Sequence, residues 1–111
     1  MDGPSIRGRR DLPSLRRSRG RGRVRFELGR VVATPGALDL LTRWDLDDLL
    51  RRHHRGDWGE LDGHDRRANE RSVRHGHRVL SSYPAGESGV KVWIITERDR
   101  SVTTILLPEE Y

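Results

Sequence analysis

The stretch VKVWIITERDRSVTTILL, residues 90–107, contains two apolar runs on either side of the charged turn ERDR, residues 97–100. Within the first run the side chains alternate between two sets, which is the pattern of a β-strand that presents different residues to its two faces. The connection is too short for a crossover between parallel strands, so the two runs are predicted to pair as an antiparallel hairpin. This hairpin makes the C-terminal part of the chain β structure.

The rest of the chain extends this hairpin into an α+β fold. Residues 77–83 are predicted to form another strand of the same antiparallel meander, and residues 24–33 an earlier strand with a bulge at Gly29. Three helices are predicted between these strands, over residues 35–44, 45–55 and 63–75. The predicted order is therefore β-α-α-α-β-β-β, with an antiparallel four-stranded sheet and the helices packed on one face.

Capping residues set the predicted helix boundaries. Thr34 is a favourable N-cap for the first helix, and Asp45 and Asp48 resemble a capping box at the start of the second. Asp62 can cap the third helix, which Gly76 would end at its C-terminus.

The charge of the chain is divided between two segments. Residues 1–25 hold nine arginines against two aspartates, a net charge of +7, whereas the remaining residues hold 13 bases and 15 acids, a net charge of −2. Residues 1–23 are rich in Gly, Pro, Ser and Arg, and their few apolar side chains cannot offset an ordering entropy of about 1–2 kcal/mol per residue. They are predicted to form a disordered basic tail beside a compact domain over residues 24–111.

Two interpretations of this tail remain open. It is either an arm that binds nucleic acid or an upstream extension that results from a misassigned start codon. In the first case, neutralising seven phosphates would give a slope of about −6 in log K against log[salt]. The arginines assigned to this contact are Arg16, Arg17, Arg19, Arg21 and Arg23.

Several classes of protein are excluded by composition. The chain has no cysteine, which rules out disulfides, thiolate metal sites and cysteine nucleophiles. It has no apolar run of the ~18–20 residues that a membrane span needs and no signal-peptide core, so a cytoplasmic protein without membrane contact is predicted. No P-loop, dinucleotide fingerprint or nucleophile elbow occurs, and no cofactor is predicted.

The five histidines are not arranged as a metal site. Zinc needs three or four ligands that converge at about 2 Å. His53 and His54 are adjacent on a helix and point in different directions, while His75 and His77 lie on either side of a predicted helix end. No metal ion is predicted, and the histidines are assigned to the surface or, for His53, to the space beneath its helix.

The hairpin contains one candidate catalytic group. Arginine forks beside hydroxyl groups suit phosphate binding, which makes Arg98, Arg100 and Thr103 candidate phosphate ligands. His54 or His77 would then act as the general base on a ribose 2′-OH. The alternative is structural, because threonine favours strands and charged turn residues keep a hairpin tip soluble.

The loop and helix over residues 54–70 form a second candidate site. Trp58 could contact a partner there, since tryptophan is enriched among binding hot spots, or it could fill the core where the loop meets the sheet. The residues predicted to bind a partner are Trp58, Asn69, Arg98, Arg100 and Tyr111.

Most of residues 24–111 resembles a family of small, uncharacterised proteins carried by bacterial plasmids and integrative elements. The stretches that carry the resemblance are LGRVVATPGAL (28–38), RHHRGDWGELD (52–62), NER (69–71), RVLSSY (78–83), VWIITE (92–97) and TTILLPEEY (103–111). The resemblance does not extend to residues 1–23. It implies a mobile-element context and brings no activity, substrate or catalytic residue.

Two functions are consistent with these observations. The first is an accessory module of a mobile element that binds a protein or a nucleic acid without catalysis. The alternative is a small ribonuclease that resembles the RelE or barnase group, for which the net charge of −2 outside the tail is unfavourable. The first function is the one we predict, with the partner and the oligomeric state left open.

Overall fold

The computed structural model describes residues 8–12, 23–86 and 89–111, which form an α+β fold. The strands are β1 (Arg10–Asp11), β2 (Arg30–Ala33), β3 (Val79–Ala85), β4 (Val90–Thr96) and β5 (Val102–Leu106). The helices are α1 (Pro35–Leu40), α2 (Arg43–His54) and α3 (Gly63–His75), and a 3₁₀ turn follows at Pro108–Glu110. The five strands make one mixed sheet in the order β1-β2-β5-β4-β3. None of the described helices has the length and apolar character needed to cross a membrane.

The predicted meander of β3, β4 and β5 is confirmed. Both pairs are antiparallel, and in the β4–β5 hairpin Ile94 lies opposite Ile105 while Thr96 lies opposite Thr103. The alternation along β4 therefore sends Ile94 and Thr96 to one face and Trp93 to the other. Short connections with turn residues fix this part of the sheet, as the sequence indicates.

The prediction of a fully antiparallel sheet is wrong at β2. This strand pairs in parallel with β5, with Val31 opposite Thr103 and Ala33 opposite Ile105. The two strands are far apart in sequence, and the helices after β2 return the chain so that β5 runs in the same direction. The strand also begins only at Arg30, because Gly29 has a positive φ of 66° at its close approach to the β4–β5 turn.

The prediction of a disordered tail is wrong for residues 8–12. In β1, Arg10 and Asp11 pair antiparallel with β2, and Leu12 N donates to Val31 O at 2.6 Å. Asp11 also accepts from Arg30 Nε at 2.8 Å. Backbone pairing with an exposed strand edge needs no large apolar side chain, which is why composition did not indicate it. Residues 1–7 and 13–22 lie outside the described part of the chain, and the domain boundary at Val24 stays a prediction.

The helix boundaries follow capping chemistry, with one correction. Thr42, and not Asp45, is the N-cap of α2: its hydroxyl accepts from Asp45 N at 3.1 Å, and the Asp45 carboxylate accepts from Thr42 N at 3.0 Å. The predicted pair of Asp45 and Asp48 is therefore wrong, and α1 ends at Leu40, before Trp44. The predicted caps of α3 are confirmed, since Asp62 is its N-cap and Gly76 ends it in the left-handed region.

The main core lies between α1, α2 and one face of the sheet. Leu46 and Leu50 of α2 pack there against Ile94, Ile105 and Tyr83, all of them 6 % exposed or less. On the other face Ile95 and Leu106 form a smaller buried cluster with Leu80 and Trp93 around them.

The third helix meets the sheet at its edge. The Asn69 carboxamide of α3 accepts from Leu80 N at 3.1 Å and donates to Leu80 O at 2.7 Å, on the outer side of β3. Asn69 therefore satisfies backbone groups that a free strand edge would leave unpaired.

Candidate functional site

A buried chain of hydrogen bonds joins α2 to the hairpin. The Thr103 hydroxyl donates to Leu28 O at 2.7 Å, so its oxygen accepts from Thr96 at 2.7 Å. Thr96 then accepts from His53 Nε2 at 2.9 Å, and His53 Nδ1 accepts from the Ser81 hydroxyl at 2.6 Å. Burial lowers the pKa of His53 to about 3, so the imidazole is neutral as this pattern requires. Thr103 is fully buried in this network and is not available to a phosphate.

Arg100 is also used within the fold. It is a non-glycine residue with a φ of 61°, and its guanidinium donates to Ser72 O at 2.9 Å, His77 O at 2.7 Å and Glu97 O at 3.1 Å. The same group lies 5.6 Å from the centre of the Phe26 ring. A cation that bonds the last carbonyls of a helix is stabilising there, so Arg100 ties the hairpin tip to the end of α3.

The C-terminal turn has an equally complete set of contacts. The Glu110 carboxylate accepts from the Thr34 hydroxyl at 2.5 Å, from Gly36 N at 2.8 Å and from Leu107 N at 2.9 Å. Burial alone would raise the pKa of Glu110, but these hydrogen bonds outweigh it and the pKa is lowered. A side chain at Gly36 would meet the carboxylate at 2.7 Å. The PEEY ending therefore fastens the chain to the start of α1.

Trp58 and Asn69, two of the predicted binding residues, are buried. Trp58 is 4 % exposed, donates from Nε1 to Glu70 Oε2 at 3.0 Å and stacks on Phe26 with ring centres 6.0 Å apart. Asn69 is 5 % exposed and bonds the edge of β3. Trp58 therefore fills the core between the loop and the sheet. This is the second of the two roles predicted for it from the sequence.

The other predicted residues are at the surface. Arg98 and His77 are exposed, as is Arg23, while Arg16, Arg17, Arg19 and Arg21 lie outside the described residues. Tyr111 is 47 % exposed, accepts from Arg78 Nη1 at 2.7 Å and meets Trp93 edge-on. His77 approaches the hairpin group only through its carbonyl on Arg100. The predicted catalytic set is thus not assembled as a cleft of exposed side chains.

His54 lines a separate cleft at the end of the sheet. This cleft has a volume of about 430 Å³, and the residues around it are Glu27, Leu28, Gly29, Arg30, His54 and Ser101. Burial lowers the pKa of His54, with smaller opposing effects from a hydrogen bond to the Phe26 backbone and from the charge of Glu27. The neutral imidazole, with one nitrogen bonded to the backbone, can accept a proton at the other.

Close contact between two segments forms this cleft. A Cβ at Gly29 would lie 2.3 Å from Ser101 O, so only glycine permits the chain to cross the β4–β5 turn there. Glu27, Arg30 and Ser101 were not predicted to be neighbours of His54. The interruption of the apolar alternation at Gly29 could have indicated a close approach of another segment at this point, because a glycine within a strand pattern often marks one.

A cluster of arginines lies at the β1 edge of the sheet. Arg9 Nη1 donates to Thr104 Oγ1 at 3.2 Å, and Arg9, Arg10 and Arg30 are all exposed. A second cleft, of about 480 Å³, is formed there by Gly8, Arg9, Arg10, Pro35, Leu38 and Asp39. The strand β1 thus brings part of the arginine-rich segment onto the folded domain.

Trp44 is the most exposed large apolar side chain of the described residues, at 79 %. The prediction that α1 extended through it gave this residue no separate role. The buried positions Leu46, Leu49 and Leu50 of α2 place Trp44 on the opposite side of the helix. The helical spacing of these leucines in the sequence could have predicted that Trp44 is exposed.

A possible cation site occurs once among the residues that the structure describes. Asp62, His64 and Asp65 place one ligand atom each within 4.8 Å of one another, and all three are exposed. Asp62 accepts from Asp65 N at 2.8 Å as the N-cap of α3, which accounts for the cluster without a metal.

Comparisons with protein-family models, with curated proteins and with solved structures found no match to this chain. The mobile-element context therefore stays a prediction from the resemblance.

Proposed function

We propose that this chain is a nucleic-acid-binding accessory module of a bacterial mobile element. In this proposal the arginine-rich N-terminal segment contacts the phosphates and the α+β domain holds that segment. The observation that carries the proposal is β1, because the pairing of Arg10 and Asp11 with β2 attaches the segment to the sheet. This attachment brings Arg9 and Arg10 of a segment with a net charge of +7 onto the sheet, where they can contact phosphates.

The distribution of charge supports this assignment. Residues 26–111 have a net charge of −2 and offer little attraction for a polyanion, so affinity for phosphates belongs to the N-terminal segment. A second attachment strengthens the case: Arg25 N donates to His54 O at 2.9 Å, and the Arg25 guanidinium pairs with Glu70 at 2.7 Å. The segment is therefore joined to the domain both at β1 and at Arg25.

The salt dependence of binding by the full-length chain tests this proposal. Labelled duplex DNA should be bound with a slope of up to about −6 in log K against log[salt], and single strands with about −5. The triple variant Arg16→Gln/Arg17→Gln/Arg19→Gln should reduce the duplex slope by about 3. The matched control Arg67→Gln/Arg71→Gln/Arg74→Gln removes the same charge from the exposed side of α3 and should change the slope much less. Equal effects of the two triples would contradict the proposal.

A ribonuclease is the second candidate, and the His54 cleft is the observation that favours it. There a neutral His54 would take the proton of a ribose 2′-OH as that oxygen attacks the adjacent phosphorus beside the Arg30 guanidinium. The P–O5′ bond would break, and the leaving 5′-oxygen would take a proton from water. Arg30 would thus replace Thr103, which is buried, and Arg100, which bonds backbone carbonyls.

The same binding reactions test this second function when the RNA is separated on denaturing gels. Shortened RNA with the wild type, lost in His54→Ala and retained in His64→Ala, would support it, since His64 is exposed. Intact RNA under all conditions would contradict it.

A further inference from the structure

The outer face of α2 combines one exposed aromatic side chain with an ordered set of charges. At about 100° per residue, Trp44, Asp48, Arg51 and Arg55 fall within about 60° of one another around the helix axis. All four are exposed, and they lie opposite the buried leucines of the same helix. We call this stripe of four residues the outer α2 face.

Trp44 is the feature of this face that needs an explanation. Its side chain is 79 % exposed, whereas Trp58 is 4 % exposed and Trp93 is partly buried against Tyr111. Tryptophan and arginine are among the residues most enriched at the hot spots of protein interfaces. The outer α2 face has that composition.

The charges on this face are ordered along the helix. Asp47 and Asp48 lie in the first half of α2, Arg51 lies in its second half, and Arg55 is its C-cap. Asp47 and Arg51 form an ion pair at 3.0 Å within one helix, in an exposed geometry that contributes little to stability. On the outer α2 face the acid Asp48 precedes the bases Arg51 and Arg55, so this face is complementary to an antiparallel copy of itself.

We propose that the outer α2 face binds the same face of a second copy of this chain, with the two helices antiparallel about a two-fold axis. An axis at the level of Leu49 and Leu50 places Asp48 opposite Arg51 of the partner subunit. It also places Trp44 opposite Arg55 of the partner subunit, where the guanidinium can lie over the indole ring. Both contacts occur twice, because a two-fold interface repeats every pair.

This interface spans the distance from Trp44 to Arg55, about 16 Å along the helix. Two tryptophans become buried, one near each end of the contact, with charge pairs between them. The inference is independent of nucleic-acid binding, but a dimer would join two arginine-rich segments in one particle. Such a particle would bind a long nucleic acid more tightly than the single chain does.

Sedimentation equilibrium of the full-length chain over a range of concentrations tests the inference. The wild type should form a dimer whose dissociation constant rises with salt, because charge pairs contribute to it. Trp44→Ala removes one hot spot from each of the two chains and should raise the dissociation constant on the order of 1,000-fold. The matched control Tyr111→Ala removes an exposed aromatic ring from another surface and should leave dimerisation unchanged.

Charge reversal tests the antiparallel register. Arg51→Asp alone should weaken the dimer, because the new aspartate faces Asp48 of the partner subunit. Asp48→Arg alone should also weaken it, because the new arginine faces Arg51 of the partner subunit. The combined variant Asp48→Arg/Arg51→Asp restores opposite charges and should recover most of the association. A monomer at every concentration, a dimer that survives Trp44→Ala, or a combined variant no better than the single ones would overturn the inference. Far-UV circular dichroism checks that each variant is folded. If a charge variant is unfolded, the effect of Trp44→Ala on dimerisation is the deciding result.

Discussion

The closing segment, residues 96–110, and the outer α2 face differ in how their polar residues are used. In the closing segment Thr96, Thr103 and Glu110 are all bonded within the protein. On the outer α2 face, Trp44 is 79 % exposed and the charged side chains beside it lie at the surface. The closing segment has the more distinctive sequence, yet its side chains hold the fold together. In this protein a candidate binding surface is therefore the outer α2 face, although its sequence is less distinctive than that of the closing segment.

The largest effect is expected for His53→Ala. This change removes the partner of Ser81 and Thr96 in a fully buried site and leaves a cavity, so the free energy of unfolding should fall by about 3–5 kcal/mol. Urea denaturation measures the loss. The control His64→Ala, at an exposed position, should stay within about 0.5 kcal/mol. A loss below about 1 kcal/mol for His53→Ala would show that the buried network contributes little.

Acidification should weaken the same network. The pKa of His53 is lowered by burial from 6.5 to about 3, so between these values the unfolded chain binds a proton that the folded chain does not. This stabilisation is complete above pH 6.5 and is lost as pH falls toward the folded pKa, with a limiting slope of about 1.4 kcal/mol per pH unit. Urea titrations between about pH 7 and 5 measure it. His53→Gln should reduce the slope, and His54, whose pKa is also lowered by burial, should account for part of the remainder. An unchanged slope would assign it to groups other than His53.

A smaller loss is expected at the C-terminal turn. Glu110→Gln replaces one acceptor oxygen by an amide donor opposite a backbone N–H, so the free energy of unfolding should fall by about 1.5–3 kcal/mol. The pKa of Glu110 is lowered in the fold, so this stabilisation is present above the unfolded pKa of 4.5 and is lost as pH falls through the folded pKa. Glu109→Gln is the control, since Glu109 is exposed. Equal losses for both variants would contradict the assigned role of Glu110.

The smallest effect on stability is expected for Trp44→Ala. The side chain is almost fully solvated in the single chain, so the free energy of unfolding measured on dilute protein should change by no more than about 0.5 kcal/mol. Trp58→Ala, in the core, should instead cost about 3–5 kcal/mol. Thermal or urea unfolding of the two variants measures the contrast. Similar losses would mean that Trp44 is packed against the domain in solution.

Local sequence signals predicted the local parts of this fold. Asp62 and Gly76 bounded α3 correctly because caps act on the nearest backbone groups. The hairpin followed from strand alternation and a short turn in the same way. The parallel pairing of β2 with β5 was missed because it joins Val31 to Thr103, and no local pattern specifies a partner so distant in sequence.

The candidate site was less predictable than the fold. Threonines and arginines near a turn are compatible with a phosphate site and with hydrogen bonds inside the fold. The hydrogen bonds of His53 to Thr96 and of Arg100 to Ser72 O show that the second arrangement is present. Trp58 and Trp44 illustrate the same ambiguity, since Trp58 was assigned to a partner or to the core, and Trp44 received no role. Helical periodicity around the leucines of α2 would have placed Trp44 at the surface.

We infer that the closing hairpin stabilises the fold, and we propose that the arginine-rich segment binds nucleic acid. The most direct test measures unfolding free energy and DNA affinity on the same samples of Arg100→Ala and Arg16→Gln/Arg17→Gln/Arg19→Gln. We expect Arg100→Ala to lower the free energy of unfolding by about 1–3 kcal/mol and to leave the salt slope unchanged. The triple variant should keep its stability and reduce the slope by about 3. If a folded Arg100→Ala protein lost DNA binding while the triple arginine variant kept it, the hairpin and not the arginine-rich segment would be the binding site.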